Sequence, residues 1–222
     1  ILRQEWVQSS LSNLEQEEPD DLMMHPLRLA LEVQSLMNQN DWLVIDGGNT
    51  HFWSEIAVNM AGAQGKELAG ILHPGSFSML GVGVSFGLAA KLNHPKDRVV
   101  VISGDGAFLS GGLSIEAAFQ ENVPITVVID NNGGLTTISQ QQERLFADER
   151  HVATDFRDIP FHTMFEGMGG HGELVEKPED LKAALERALS SCKTACVNVR
   201  TRSAISPIVL ATTSKRDKAS IE

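Results

Sequence analysis

Three short stretches of this sequence place small and polar residues where chemistry could be done: "DGGNT" at 46–50, "GDGA" at 104–107 and "DNNGG" at 130–134. Each closes or follows an apolar run ("WLVID", "RVVVIS", "PITVVID"), so each marks the end of a buried strand. In open α/β sheets, ligands bind beyond the carboxyl ends of the strands. Glycine lets the backbone come close to a ligand and take positive φ, and the N–H groups that open the next helix form an anion site. Asp105 and Asn132 add hard oxygen ligands of the kind Mg²⁺ or Ca²⁺ takes. One helix and one strand separate the two motifs, so neighbouring parallel strands would bring them together. The chemistry this implies is a divalent cation on Asp105 and Asn132, and a diphosphate on the cation. The simpler reading of Asp105, as a cap of the following helix, loses weight once "NNGG" lies one βα unit further on.

The elements that must position these residues are legible as an alternation. "PLRLALEVQSLMNQ" from Pro26 has helical spacing with Pro in the first turn, and "WLVID" is a strand. A small-residue helix is expected over 78–92, a strand at "RVVVIS", a helix over 113–122, a strand over 124–130 and a helix over 136–146. The segment "GELVE", the helix "PEDLKAALERALSSC" and the strand "TACVNVRT" complete the pattern. Strands apolar on both faces that alternate with helices indicate a three-layer α/β/α fold around a mostly parallel sheet of about six strands. Residues 1–24 read as a linker or the remnant of a preceding domain, 25–202 as the cofactor-binding domain and 203–222 as a polar tail.

The composition narrows the partners. A net charge of −11 argues against a nucleic-acid or anionic-membrane surface. A bound phosphate would therefore rest on glycine loops, helix N-termini or a metal. No apolar run reaches the roughly 18 residues of a membrane span. Cys192 and Cys196 read as packing residues or free thiols, which suits a reducing, cytoplasmic setting. Arg98, Glu143 and Arg144 read as solvated charges. His51 and His73 flank the proposed loops, and their residue type leaves substrate-facing and surface roles both open.

One competing pattern is "GVGVSFG" at 81–87, a G-x-G-x-x-x-G with Asp105 downstream as a ribose-binding acid. It would make the chain a nicotinamide-binding Rossmann domain, but the turn-like "HPGSFS" stands where the required strand should be. A regulatory nucleotide-binding module is a further alternative.

The run "GDGAF…VPITVVIDNNGG" resembles the metal- and diphosphate-binding motif of thiamine-diphosphate enzymes, and "PGSFSMLGVGVSFGLAA" at 74–90 is similar to the stretch that holds the aminopyrimidine ring there. The resemblance covers one diphosphate-binding domain, in the branch of acetolactate synthase, oxalyl-CoA decarboxylase and 2-hydroxyacyl-CoA lyase. It implies that Asp105, Asn132 and the Gly134 carbonyl ligate Mg²⁺. It also implies that Gly48, Asn49, Thr50, Gly104, Gly106, Ala107 and Leu135 contact the cofactor. Leu80 would wedge between the cofactor rings, and the Ser78 carbonyl would accept from the pyrimidine amino group. Ser78 departs from the Gly common at that position in relatives. The activity implied is lyase, decarboxylase or acyl-transferase chemistry on a small 2-oxo acid, 2-hydroxy acid or acyl-CoA, in a homodimer or homotetramer. The activating glutamate of a pyrimidine-binding domain has no counterpart in these residues. The chain alone is thus expected to be inactive, as a fragment of a longer polypeptide or as one subunit of a split enzyme.

Overall fold

The computed structural model describes residues 23–145 and 151–210. Six strands, β1 (Trp42–Asp46), β2 (Gly70–Leu72), β3 (Val99–Gly104), β4 (Thr126–Asn131), β5 (His171–Val175) and β6 (Ala195–Arg200), make one sheet in the order β2-β1-β3-β4-β6-β5. Every neighbouring pair is parallel. Parallel strands need long crossovers, and helices supply them: α2 (Asn49–Ala63), α3 (Gly83–Asn93), α4 (Asp105–Gly111), α5 (Glu116–Gln120), α6 (Thr136–Leu145), α7 (Phe161–Gly167) and α8 (Leu181–Ser190), with α1 (Pro26–Leu36) ahead of β1. The three-layer α/β/α architecture is as the alternation implies.

The strands divide their side chains between two cores with period 2. Leu43, Ile45, Val100, Ile102, Val128, Val197 and Val199 pack on one face with Leu29, Val33, Leu181 and Leu185 of α1 and α8. Val44, Val99, Val101, Val127, Ile129 and Cys196 pack on the other with Val84, Phe108, Ile115, Phe161 and Phe165. Both faces of the central strands are dry, which is why they read as unbroken apolar runs. The chain leaves β1 for β2 on one side and returns across it to β3 on the other. That reversal opens a crevice at the carboxyl ends of β1 and β3, where "DGGNT" and "GDGA" lie.

Several boundaries differ from expectation. The helix expected over 78–92 begins only at Gly83, because Ser78 (φ 48°) and Gly81 (φ +89°) hold left-handed backbone. The helix expected over 113–122 opens as a 3₁₀ turn, Gly112–Ile115, before α5. Strand β2 has no sequence signal: it has three residues and pairs on one side only. Met24, assigned to the linker, is fully buried and bridges Thr201. The packed unit also continues past 202: Ser206 and Val209 are buried, and Trp53 Nε1 donates to the Ala204 carbonyl at 3.1 Å. The rest of the linker and of the polar tail lies outside the described residues. Arg98 is no solvated charge: its Nε donates to buried Asp41 at 2.9 Å and its Nη2 to the Leu36 carbonyl at 3.0 Å. Cys196 is in the core and Cys192 on the surface, both as free thiols.

Candidate cofactor site

A cavity of about 370 Å³ opens at the crevice, within the size range of small-molecule sites. Every residue predicted for the site lines it: Gly48, Asn49 and Thr50 from the start of α2, Ser78 and Leu80 from the loop before α3, Gly104, Asp105, Gly106 and Ala107 from the β3–α4 junction, and Asn132, Gly134 and Leu135 after β4. His51 joins them, whereas His73 stands beside a neighbouring depression.

Asp105 is not merely a helix cap. Gly104 holds the N-cap position of α4, and Asp105 is almost fully buried. Its Oδ1 accepts from Gly106 N at 2.7 Å, and its Oδ2 from Gly133 N and Gly134 N, each at 2.9 Å. Gly133 (φ +82°) turns the backbone so that these amides face the carboxylate, and a Cβ on Gly134 would lie 2.2 Å from the Thr154 carbonyl oxygen. The "GG" of the motif therefore exists to bring the loop onto Asp105. Burial, and then the negative charge of Asp130, push the Asp105 pKa up to about 7 against the pull of these N–H groups. The three donors leave charge uncompensated, and a cation would compensate it.

A second observation fits the same ion. Oδ1 of Asn132 is buried and has no hydrogen-bond partner, a rare and costly state for a polar atom. The Gly134 carbonyl accepts from Thr136 N at 2.9 Å, which uses one of its two lone pairs. An orphaned amide oxygen, a half-used carbonyl and an undercompensated carboxylate on one cavity form the oxygen donor set a hard divalent cation takes.

The diphosphate side is built from backbone. Gly48 opens α2 at the cavity with no side-chain cap of its own, and the N–H groups that begin a helix form an anion site. The Asn49 side chain is spent on the scaffold: Nδ2 donates to Gln140 Oε1 at 2.9 Å and Oδ1 accepts from Ser206 N at 3.2 Å. Thr50 Oγ1 donates to Asp130 Oδ2 at 2.7 Å, and Thr201 Oγ1 donates to Asp130 Oδ1. Neither side chain is left for an anion, and the Asn49 N–H is itself taken by Thr137 Oγ1. No Lys or Arg lines the cavity among the described residues, as the acidic composition suggested.

Residue type alone gave no sign of Thr137, whose hydroxyl accepts from Asn49 N at 3.0 Å and fills the space against Gly48. Nor did it mark Asp130, whose buried carboxylate anchors the two threonines. The Rossmann alternative fails on geometry: Gly81–Gly87 follows a 3₁₀ turn instead of a strand, and Asp105 faces the 133–134 loop.

Comparison with known proteins agrees with this geometry. Residues 46–199 match the family described as thiamine pyrophosphate enzyme, C-terminal TPP binding domain. A probable acetolactate synthase of Mycobacterium bovis is 34% identical over 184 residues, which is 82% of this chain and 32% of that protein. A 2-hydroxyacyl-CoA lyase of Oryza sativa subsp. japonica is 31% identical over 138 residues, 58% of this chain and 23% of the relative. The human 2-hydroxyacyl-CoA lyase 2 is 28% identical over 172 residues, 77% of the chain and 26% of the relative. The chain thus spans about a third or less of the length of these relatives. With a parallel sheet that ends in the two motifs and one cavity that gathers them, the chain belongs to the thiamine pyrophosphate enzyme family, as its C-terminal TPP-binding domain.

Proposed function

We propose that the domain holds thiamine diphosphate through Mg²⁺, within an enzyme that cleaves or forms a C–C bond next to a carbonyl. The observation that carries this reading is the orphaned Oδ1 of Asn132 on the same cavity as the undercompensated Asp105. Asp105, Asn132 and the Gly134 carbonyl would hold the cation. The start of α2 and the Gly106–Ala107 turn would face the diphosphate, the Asn49 and Gly106 N–H groups being held by Thr137 Oγ1 and Asp105 Oδ1, and Gly104 and Leu135 line the same cavity. Leu80, over a third exposed on the cavity rim, would stand between the two rings, with the Ser78 carbonyl toward the aminopyrimidine. The bound cofactor supplies the stabilised carbanion chemistry; the chain binds it, orients it and excludes water beneath it.

The substrate is a small 2-oxo or 2-hydroxy acid, or its CoA thioester. The longer match to the acetolactate synthase supports a 2-oxo acid first. No glutamate lines the cavity among the described residues, so proton activation of the cofactor falls to a pyrimidine-binding domain, of the same or another chain, in a homodimer or homotetramer.

The test is calorimetry on the chain with Mg²⁺ and thiamine diphosphate. Asp105→Ala should abolish metal-dependent cofactor binding, since it removes the one carboxylate of a hard-cation site. Unchanged affinity in that variant would refute the assignment. ADP and NAD⁺ as competitors separate the regulatory-module and nicotinamide readings, each of which requires displacement. Assays of the complete protein with pyruvate, oxalyl-CoA and a 2-hydroxyacyl-CoA decide the substrate.

A further inference from the structure

Asp46 ends β1 and begins "DGGNT", yet none of the roles above uses its carboxylate. It is 1% exposed. Backbone amides hold it: Gly81 N donates to Oδ1 at 3.2 Å and to Oδ2 at 3.1 Å, and Gly83 N donates to Oδ2 at 2.7 Å. Burial pushes its pKa up, and the Gly83, Gly81 and Gly47 amides pull it back. The fit is close. A Cβ on Gly83 would lie 2.8 Å from the Asp46 Cβ and 3.1 Å from Val101 Cγ1.

The two amides belong to the segment that carries Leu80. Residues 77–80 are exposed, and the Ser78 amide bonds only within its own turn, to the Gly75 carbonyl at 3.1 Å. Gly83 is the first residue of α3, and Val82 before it offers no side-chain cap. The opening N–H groups of a helix need partners from outside it, and a negative charge at that end is favourable. Asp46 supplies both from the neighbouring strand. It therefore ties the exposed Leu80 loop to the rigid end of β1, three residues before the Asn49 amide that opens α2.

We propose that Asp46 is the positioning residue of the ring-binding half of the cavity: through the Gly81 and Gly83 amides, its carboxylate sets where Leu80 stands. The proposal rests on the cofactor reading above. Aspartate is required over asparagine, because an amide would turn an N–H₂ group toward one of the two donors.

Two measurements test it. The first needs no cofactor: amide hydrogen exchange at Gly81 and Gly83. In the wild-type chain these amides should be protected although their loop is exposed, and Asp46→Asn should lose about tenfold of that protection, what one hydrogen bond to a charged acceptor is worth. Unprotected wild-type amides would overturn the proposal even if the variant failed to fold. The second compares ligands in the presence of Mg²⁺. Asp46→Asn should weaken thiamine diphosphate about tenfold and inorganic pyrophosphate, which lacks the rings, by less than about twofold. In a Leu80→Ala background the same change should cost little more, because its effect runs through Leu80. Equal weakening of both ligands would reduce Asp46 to a general structural role, and no weakening of either would remove it from the site. A wild-type chain that binds neither ligand would sink the cofactor reading and the ring-positioning role with it, while exchange still decides whether Asp46 holds the loop.

Discussion

Asp105 and Asn132 show opposite failures of compensation. One is a carboxylate with three donors and charge left over; the other is an acceptor with no donor. An unsatisfied buried group costs stability, so Asn132→Ala should leave the metal-free domain unchanged or slightly more stable. The same variant should lose the stabilisation that Mg²⁺ with thiamine diphosphate gives the wild type through linkage. Thermal unfolding with and without both ligands measures the two effects together, and a variant that still gains the full shift would dismiss Asn132 as a ligand. These two residues were legible in the sequence, because glycines around a polar residue at a strand end have few other uses. Ser78 was legible only as a departure; the structure gives its cost. It sits at φ 48°, ψ 31°, left-handed backbone in which a side chain costs about 1–2 kcal/mol. Ser78→Gly should therefore stabilise the domain by up to about 1 kcal/mol, after the entropy glycine adds to the unfolded chain. Urea unfolding checks this, and a destabilised variant would mean that the serine hydroxyl contributes more than its backbone costs. Asp46 and Asp130 could not be singled out from sequence, since their partners are amides and hydroxyls far along the chain.

At the scale of elements, periodicity found the central strands and missed the edge. Strands β3 and β4 bury every residue, so their composition is decisive. β2 pairs on one side, and its first residue is a glycine because a Cβ on Gly70 would lie 2.3 Å from the Trp42 ring. Packing demanded by another residue leaves no local signal. The opposite edge is secured by charge: Arg187 of α8 donates to Glu173 of β5 from Nε at 2.9 Å and from Nη2 at 2.8 Å. That bond, helped by His171 and opposed by burial, holds the Glu173 carboxyl below its usual range. A carboxylate whose folded pKa is depressed adds stability above its unfolded pKa of about 4.3, and this stability is lost as pH falls through the lower folded value. Glu173→Gln should therefore cost ~0.5–1 kcal/mol at neutral pH, the scale of a half-exposed pair. The gap to wild type should begin to narrow as pH falls below about 4.3 and close only below the lower folded value. A gap that does not narrow at all as pH falls through the carboxylate range would assign the effect to packing.

For the whole molecule, the question is what covers the rim of the cavity. Phe77 is 93% exposed and Met79 64%, and Leu109 and Leu113 are exposed as well. Gly81 packs so tightly on the end of α4 that a Cβ there would lie 2.9 Å from Gly111 N and 3.0 Å from Ser110 Cβ. This brings the 77–80 loop beside residues 109–113. Exposed apolar residues gathered in this way mark an interface, and the 77–80 loop borders the cavity side on which the cofactor rings are proposed to stand. In the proposed cofactor reading a pyrimidine-binding domain would cover it and bring the glutamate that the cavity lining lacks among the described residues. Without that domain, a second copy of the chain is the available cover, so the isolated chain should self-associate as its concentration rises and should lack turnover. Phe77→Asp puts a charge on the most exposed of these apolar residues and, at a position almost wholly in solvent, costs the fold little. It should shift sedimentation velocity toward the monomer while pyrophosphate and Mg²⁺ binding stay within about twofold, the site being built from other residues. A wild-type chain that stays monomeric at every concentration, or a variant that associates as strongly, would show that this face is not the one that seeks a partner. Full activity of the wild-type chain alone would place the activating acid within it.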